Sequence, residues 1–436
     1  MIKVLILSYY FPPAGGSGVQ RWMFFSRYLP ENGIEPIVIT VDVDKASYRF
    51  IDYSLEKNVS GIKIIRTKTR EILSLYSFLR GGDKRSNIPQ GFAGEPNPSF
   101  LQKISRFIRG NIFLPDARRG WNRFAYQQSV KTIKSENIGI VITTGPPHST
   151  HLVGRKLKKK YGIKWIADFR DPWTEVYYNR ALYKSRLANK IDSAMERRVL
   201  NEANTVVTIG PGMQKMLQGK LPEPQRSKVH YVYNGFDGEL FDRLVKIPAD
   251  YFCISHLGIL SENQPIDAFL EGLRLCLDRN IGMKRNFRLQ FVGDISPSII
   301  KKAEEKIGRE NLELVGYVQH AEAVQYMKNA DLLLNSFAIS DDSSLLVSGK
   351  LMEYIATGNP IIGLGHPEGD AALLMKRNPH MSVFDRENIL GITLFIEMIY
   401  LHWLNKDVQY STDESYKKYS RQNMTRELSQ IIRTLI

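Results

Sequence analysis

Cysteine is nearly absent: Cys253 and Cys276 are the only two in 436 residues. That excludes a disulfide framework and fits a reducing, cytoplasmic compartment. Long apolar runs are missing too. No stretch reaches the ~18 consecutive apolar residues of a spanning helix, so any membrane attachment must be peripheral. The apolar opening "MIKVLILSYYFPP" stops at a proline pair and a Gly-rich loop, with no small-residue cleavage site, and reads as a buried strand followed by a tight loop. There is no short internal repeat and no long low-complexity tract. Negative charge is also in short supply: 45 Asp and Glu stand against 60 Lys and Arg, for a net charge of +15. Such an excess predicts anionic partners, namely nucleotides, nucleic acid or an acidic membrane face. No aromatic–basic recognition motif accompanies the cations, so nucleic acid is set aside.

What is present is a globular composition, 43% hydrophobic, in a chain too long for one ordinary core. Short apolar runs alternate with helical periodicity. "KVLILS", "IEPIVIT", "IGIVITTG", "KWIAD" and "TVVTIG" form a first series; "FCISHLG", "RLQFVGD", "LELVGYV", "ADLLLNSF" and "NPIIGLG" form a second. β-rich runs with helices between them indicate βαβ units around parallel sheets. The turn signal Asn234–Gly235 separates the two series. The expected division is therefore 1–235, 236–400, and a helical tail at 401–436 that crosses back to the first domain. The expected fold class is α/β, with two Rossmann-like doubly wound domains facing across a cleft. Ligands of such sheets bind at the carboxyl ends of the strands.

The region from Lys63 to Trp121 breaks this rhythm and reads as an inserted basic, amphipathic segment at about 66–121. "SFLQKISRFIRGNIFLP" places Phe100, Leu101, Ile104, Phe107 and Ile108 on one helical face, with Lys103, Arg106 and Arg109 beside it. An apolar stripe flanked by cations suits a helix lying on an anionic membrane. The alternative is a surface helix packed on its own domain. Arg118–Arg119 and "KLKKK" at Lys156–Lys160 are further cations that would reinforce such a surface if they shared it.

Chemistry-bearing residues cluster where the pattern places strand ends. In "SGKLMEYIATGNPII", Ser348 is a predicted N-cap with Lys350 in the first turn. A helix N-terminus plus a lysine makes a phosphate site. Glu353, one turn on, can accept hydrogen bonds from a ribose diol. The alternative is a solvated Lys–Glu pair at i, i+3. In the first series, Gly15, Gly16 and Gly18 form a loop between strand and helix that can present N–H groups to a phosphate or sugar hydroxyl, with Ser17 inside it and Arg21 one turn on. His148 and His151 follow "IVITTG". Such a pair is either two water-facing side chains or part of a metal site, but no third ligand lies at matching spacing, and no metal is expected. "DFRDPW" sets Asp168, Arg170 and Asp171 at another strand end. They either lock one another as ion pairs or serve an acceptor, with Asp171 toward its hydroxyls and Arg170 toward phosphate.

These stretches, taken in order, resemble glycosyltransferase family 4. "YYFPPAGGSGVQR" is similar to that family's first Gly-rich loop, "PPHSTHLVGRKL" and "WIADFRDPWTE" to a pair of first-domain blocks, and "YNGFD" to its hinge segment. "LGIL", "LVGYV" with "YMKNADLLL", and "SGKLMEYIATGNPII" are similar to its nucleotide-sugar-binding segments. The resemblance implies a GT-B fold. It also implies retaining, hexosyltransferase-type transfer from a nucleotide-diphosphate sugar to a glycan or lipid-linked acceptor, without a tightly bound cofactor. By the same resemblance Lys350 contacts the donor diphosphate and Glu353 the ribose. The backbone at Tyr317 and Val318 reads the base, and Gly258 admits the phosphates. His148, with His151 behind it, faces the transferred sugar. A front-face reaction, with the leaving phosphate taking the acceptor proton, leaves the protein mainly positioning and charge stabilisation to do. A role in surface-polysaccharide synthesis on the inner face of the cell membrane follows from the family alone.

Two positions depart from that pattern. Leu345 stands where relatives carry a glutamate that touches the donor sugar, with Asp341 and Asp342 just upstream, and Gln264 stands where a cation is expected. They keep two other readings open: a sugar-nucleotide 2-epimerase of the same fold, and a catalytically weakened binding subunit.

Overall fold

Fully apolar strands need cover on both faces, and the chain supplies it with helices. In the computed structural model, which describes every residue except Arg49, 71–99, 177–178, 180–181, 341–342, 346, 377 and 407–413, the first series folds into a seven-stranded parallel sheet. Its strands are β1 (Ile2–Leu7), β2 (Ile34–Val41), β3 (Lys63–Thr67), β4 (Ile140–Gly145), β5 (Lys164–Phe169), β6 (Thr205–Thr208) and β7 (Val229–Tyr231), in the order β3-β2-β1-β4-β5-β6-β7. β1 lies centrally, in register with β2 from Ile2↔Ile34 to Leu7↔Ile39 and with β4 on its other side. Trp22, Trp121, Trp165 and Phe25 are fully buried around it.

The second series forms a six-stranded parallel sheet of β8 (Phe252–Leu257), β9 (Phe287–Val292), β10 (Leu312–Gly316), β11 (Leu332–Ser336), β12 (Ile361–Leu364) and β13 (Met381–Phe384), in the order β10-β9-β8-β11-β12-β13. Its core runs from Phe252, Ile254 and Leu289 to Phe395 and Ile396 of the helix Ile389–Leu404. Both sheets reverse direction of growth once, at β1/β4 and at β8/β11. These reversals are the switch points where doubly wound sheets receive ligands.

The chain divides into one unit of Met1–Asn234 with Arg421–Ile436 and a second of Gly235–Ser420. The helix Arg421–Arg433 packs on Ser17–Tyr28: the Arg421 guanidinium lies 3.7 Å over the Phe24 ring, and its Nη2 donates to Gln20 Oε1 at 2.6 Å.

Three strands, β3, β7 and β13, and one helix differ from the sequence reading. Lys63–Thr67 is a strand pairing with β2, so the βα rhythm continues beyond Lys63. It is an edge strand, partly exposed and carrying Lys63 and Arg66, and so lacks the unbroken apolar run that marks the inner strands. β7 and β13 are likewise short, partly exposed edges. Within the amphipathic segment, Phe100–Asn111 is a helix, but Arg106 is buried at 4% exposure rather than lying beside the apolar stripe.

Candidate functional site

At the first switch point the loop after β1 is pinned by its backbone. Gly15 N donates to the Phe50 carbonyl at 2.9 Å, and Asp52 N donates to that of Pro13 at 2.8 Å. Gly16 has φ +94°, a left-handed conformation that glycine adopts without strain, and nothing lies within 4 Å of where a Cβ would stand. Beyond it Gly18 and the start of the helix Ser17–Tyr28 meet Arg170. That guanidinium donates to the carbonyls of Gly18, Pro146 and Gly145, the last through Nε at 3.3 Å, and it is buried. Arg170 is therefore a clamp between two loops, where the sequence reading turned it toward phosphate.

Arg21 is similarly committed. Its Nε and Nη2 donate to Asp168 Oδ1 at 3.1 and 3.0 Å, and its Nη1 to the Val232 carbonyl at 2.8 Å and Asn234 Oδ1 at 3.1 Å. Asp168 also accepts from Trp22 Nε1 at 2.6 Å and from the Thr144 hydroxyl at 2.8 Å. This buried pair joins the first helix to β4, β5 and the segment after β7, and Arg21 does not reach the glycine loop as an anion ligand. Asp168 is thus ion-paired, but to Arg21 from another element rather than to Arg170 within its own cluster, while Asp171 sits partly buried beside Arg170.

The two histidines meet in a buried ring cluster. His148 stacks on Trp173, centroids 5.0 Å apart and 13° between planes, and His151 on Phe169 at 4.6 Å and 20°. Thr143 Oγ1 accepts from Trp165 Nε1 at 2.8 Å and lies 2.9 Å from His151 Nδ1. Burial first, then neighbouring positive charge, lowers both imidazoles: His151 to about 3, His148 well below its ordinary value. Both are neutral at working pH, suited to hydrogen bonding rather than to proton shuttling. Among the described residues no three His, Cys, Asp or Glu side chains come together as a metal site.

Three supports of this cluster escaped the sequence reading. Gly145 is required by contact, since a Cβ there would stand 2.7 Å from His151 Nε2 and 2.8 Å from His148 Nδ1. Asp116, from the segment read as an insertion, caps the helix Ser149–Tyr161 beside His148. It accepts from Ser149 N at 2.7 Å and Ser149 Oγ at 2.9 Å. Trp173 donates to Asp192 Oδ1 at 2.7 Å, and Thr174 to Glu196 Oε2 at 2.6 Å, which fixes the "DPWTE" turn on the helix Arg186–Glu202.

At the second switch point β8 is followed directly by Gly258, φ +94°, whose N–H donates to the Val292 carbonyl at 2.7 Å. The neighbouring Gly293 has no room for a side chain: a Cβ would lie 2.4 Å from the Gly258 oxygen. Facing this loop is the helix Gly349–Thr357, capped by Ser348, whose Oγ accepts from Leu351 N at 3.1 Å. Tyr354 Oη accepts from Leu257 N at 2.9 Å and ties the helix to the end of β8.

Lys350 runs past Gly258, its Cδ 3.8 Å from a Cβ placed there, to put Nζ 3.4 Å from His256 Nε2. His256 Nδ1 donates to the Leu334 carbonyl at 3.0 Å, which leaves Nε2 of the neutral ring as an acceptor for the ammonium. Burial drives the Lys350 pKa down to about 8. Glu353 lies 2.9 Å through Oε1 from His320 Nε2, at the start of the helix His320–Asn329. Each member of the i, i+3 pair therefore has its own partner on another element, buried His256 for Lys350 and exposed His320 for Glu353, and the solvated Lys–Glu alternative does not describe it. His320 follows Tyr317 and Val318 by three and two residues, so Glu353 and that loop converge. Tyr317 is 90% exposed. Gln264 braces its loop, donating to the Ser336 carbonyl at 3.0 Å and accepting from Ser261 N at 3.3 Å. Leu345 is partly buried, and Asp341 and Asp342 lie outside the described residues.

Two doubly wound units, each with glycine turns at its switch point and one with a lysine at an adjoining helix N-terminus, define a two-domain class of α/β protein. Comparison with known proteins agrees. Residues 88–240 match the model of Glycosyltransferase Family 4. TuaH of Bacillus subtilis (strain 168), whose name gives it a provisional role as a teichuronic acid biosynthesis glycosyltransferase, is 24% identical over 207 residues, 46% of this chain and 50% of that protein. The match thus spans about half the length of that relative. Among solved structures, a glycosyltransferase from Rickettsia africae ESF-5 superposes with a TM-score of 0.63 at 15% identity, covering 100% of this chain and 98% of the other. Anabaena HepE in complex with UDP-glucose superposes with a TM-score of 0.58 at 11% identity, covering 100% of both. These likenesses establish a GT-B type of fold, and with the family match they uphold the resemblance to glycosyltransferase family 4.

Proposed function

We propose that this protein transfers a hexosyl group from a nucleotide-diphosphate sugar to a glycan or lipid-linked acceptor, with retention of configuration. The setting is surface-polysaccharide synthesis at the cytoplasmic face of the membrane. The second unit holds the donor: Lys350 and the N–H groups of its helix take the diphosphate, Glu353 the ribose, the backbone at Tyr317 and Val318 the base, and Gly258 leaves room for the phosphates. The first unit serves the acceptor through Gly16, Ser17, Gly18 and Asp171. Arg21 and Arg170 position these groups rather than bind. His148 and His151, held neutral, act as hydrogen-bonding groups on the transfer step.

The observation that carries the reading is Lys350: a partly buried ammonium beside a glycine turn, with a neutral imidazole as its hydrogen-bond acceptor. A diphosphate would supply the missing counter-charge. No cofactor is needed by this chemistry. The donor leaves as nucleoside diphosphate, the sugar carbon gains the acceptor oxygen, and the acceptor proton passes to the leaving phosphate. The match to a transferase family model favours transfer over epimerisation.

Thermal-shift titration against UDP-, GDP- and ADP-sugars tests the donor site. One nucleotide class should stabilise the protein, and Lys350→Ala should abolish the shift. Absence of any shift, or an equal shift in the variant, would overturn the assignment. With the donor known, NMR of the product anomer tests retention, and epimerised donor formed without acceptor would support the isomerase instead.

A further inference from the structure

We propose that one face of the first unit, built jointly by the helix Phe100–Asn111 and the start of the helix Arg186–Glu202, docks on an anionic lipid surface. This deepens the peripheral placement just proposed by naming the surface, and it is testable without any transfer reaction.

The first helix is turned opposite to an ordinary surface helix. Phe100, Ile104, Phe107 and Ile108 are exposed, Phe100 at 75%, while Arg106 is buried. Ile112, one residue beyond, extends the row at 66% exposure. A soluble helix hides its apolar stripe; this one presents it. The second helix and the turn before it continue the pattern: Tyr183, Leu187 and Ile191 are exposed, Leu187 at 68%. The two rows are joined by Asn111, whose Nδ2 donates to the Tyr183 carbonyl at 3.1 Å and whose Oδ1 accepts from Ser185 N at 2.7 Å. Gly110 permits the approach, because a Cβ there would overlap the Leu182 carbonyl oxygen.

Charge selects the occupant. Neither Phe100–Ile112 nor Leu182–Ile191 contains an Asp or Glu, and Lys103, Arg186 and Lys190 are exposed among the apolar side chains. The nearest carboxylate in sequence, Asp192, is buried against Lys184 at 2.5 Å. An apolar face with cations and no anions matches an anionic bilayer surface. A second copy of the same face would bring like charges together. The stretch 71–99 carries as many acidic as basic residues and offers no complement. Arg118 and Arg119 play no part: Arg118 donates to Ser47 and Arg119 to the Leu114 carbonyl at 3.1 Å.

Flotation of the full chain with phosphatidylcholine vesicles, with and without phosphatidylglycerol, is the test. Binding should require phosphatidylglycerol and fall as salt rises. Lys190→Gln should lower partitioning about fivefold. Leu187→Ser with Ile191→Ser should lower it at least tenfold with Phe100–Asn111 untouched, as should Phe107→Ser alone, each with an unchanged melting temperature. No flotation at low salt overturns the proposal. So does salt-insensitive binding to pure phosphatidylcholine, or a dimer that the same variants dissolve. Flotation only after deletion of 71–99 would identify that segment as the occupant instead. The nucleotide-sugar thermal shift is read in parallel, so failure here leaves the donor assignment standing, and the converse holds.

Discussion

The two switch points share a topology and differ in how they spend charge. At β1/β4 both arginines are consumed internally. Arg21 holds Asp168 and Arg170 holds three carbonyls, so the charges there set geometry. At β8/β11 the ammonium of Lys350 is held only loosely, by a neutral ring 3.4 Å away. A sheet edge can thus use cations as scaffold or as bait, and the sequence position of a basic residue does not say which. The hydrogen-bond partners do.

The contrast predicts effects of different kind as well as size. Arg21→Ala should be the most damaging. It strands the Asp168 carboxylate in the core, and breaking such a buried pair costs ~3–5 kcal/mol, read as a fall in the urea midpoint. If the variant folds, donor affinity in the second unit should be unchanged. Lys350→Ala should do the reverse, with affinity for the nucleotide sugar falling by ~1.5–3 kcal/mol in calorimetric titration and stability held or improved. A large stability loss from Lys350→Ala would erase the distinction.

His148→Ala should lower kcat about 10²-fold at near-constant KM, as for loss of one preorganised hydrogen-bonding group. Because both imidazoles are kept neutral by burial, kcat should show no titration near pH 6.5 that the variant removes. If His151→Ala alone shows this pattern, the roles are exchanged.

Donor binding should also depend on pH in a definite direction. Free Lys350 is cationic below about pH 8 and loses its proton above it. Diphosphate prefers the cation, so affinity should fall as pH rises through 8, with proton uptake on binding detectable by titration in buffers of different ionisation heat. Folding stability should move the other way. A lysine with a lowered folded-state pKa binds fewer protons than the unfolded chain between about 8 and its ordinary value of 10.5, so stability rises with pH across that window. Lys350→Arg should remove both trends. The smallest effect is expected from Gln264→Ala, which loses the bond to the Ser336 carbonyl for ~1 kcal/mol and should leave donor specificity alone.

Most of the inner strands and the capped helix at Ser348 were legible in the sequence, because unbroken apolar runs and a Ser–Gly–Lys start are local signals. β3, β7 and β13 were not, because these short edge strands are partly exposed and lack an unbroken apolar run. The same locality explains the site. Lys350 and Glu353 share a helix and could be read together, whereas their partners His256 and His320 come from other elements and carry no motif. Asp116 reaches Ser149 across 33 residues of sequence, a pairing no periodicity records. Gly145 was visible as the end of "ITTG", but its purpose depends on where the imidazoles three and six residues further on come to rest, which only the fold decides.

The helix Arg421–Arg433 belongs to the first unit although the second lies between them in the chain. Its Met424, Leu428 and Ile432 are buried, and Gln422 donates to the Tyr28 hydroxyl at 3.2 Å. On the ribosome, where domains form as the chain emerges, the first unit must wait with that flank of Ser17–Tyr28 uncovered until the second has been synthesised. Gly235–Ser420 is free to finish first, so the half of the protein begun earlier is completed last. A fragment ending at Asn234 should accordingly need the peptide 421–436, supplied in trans, before it becomes resistant to protease.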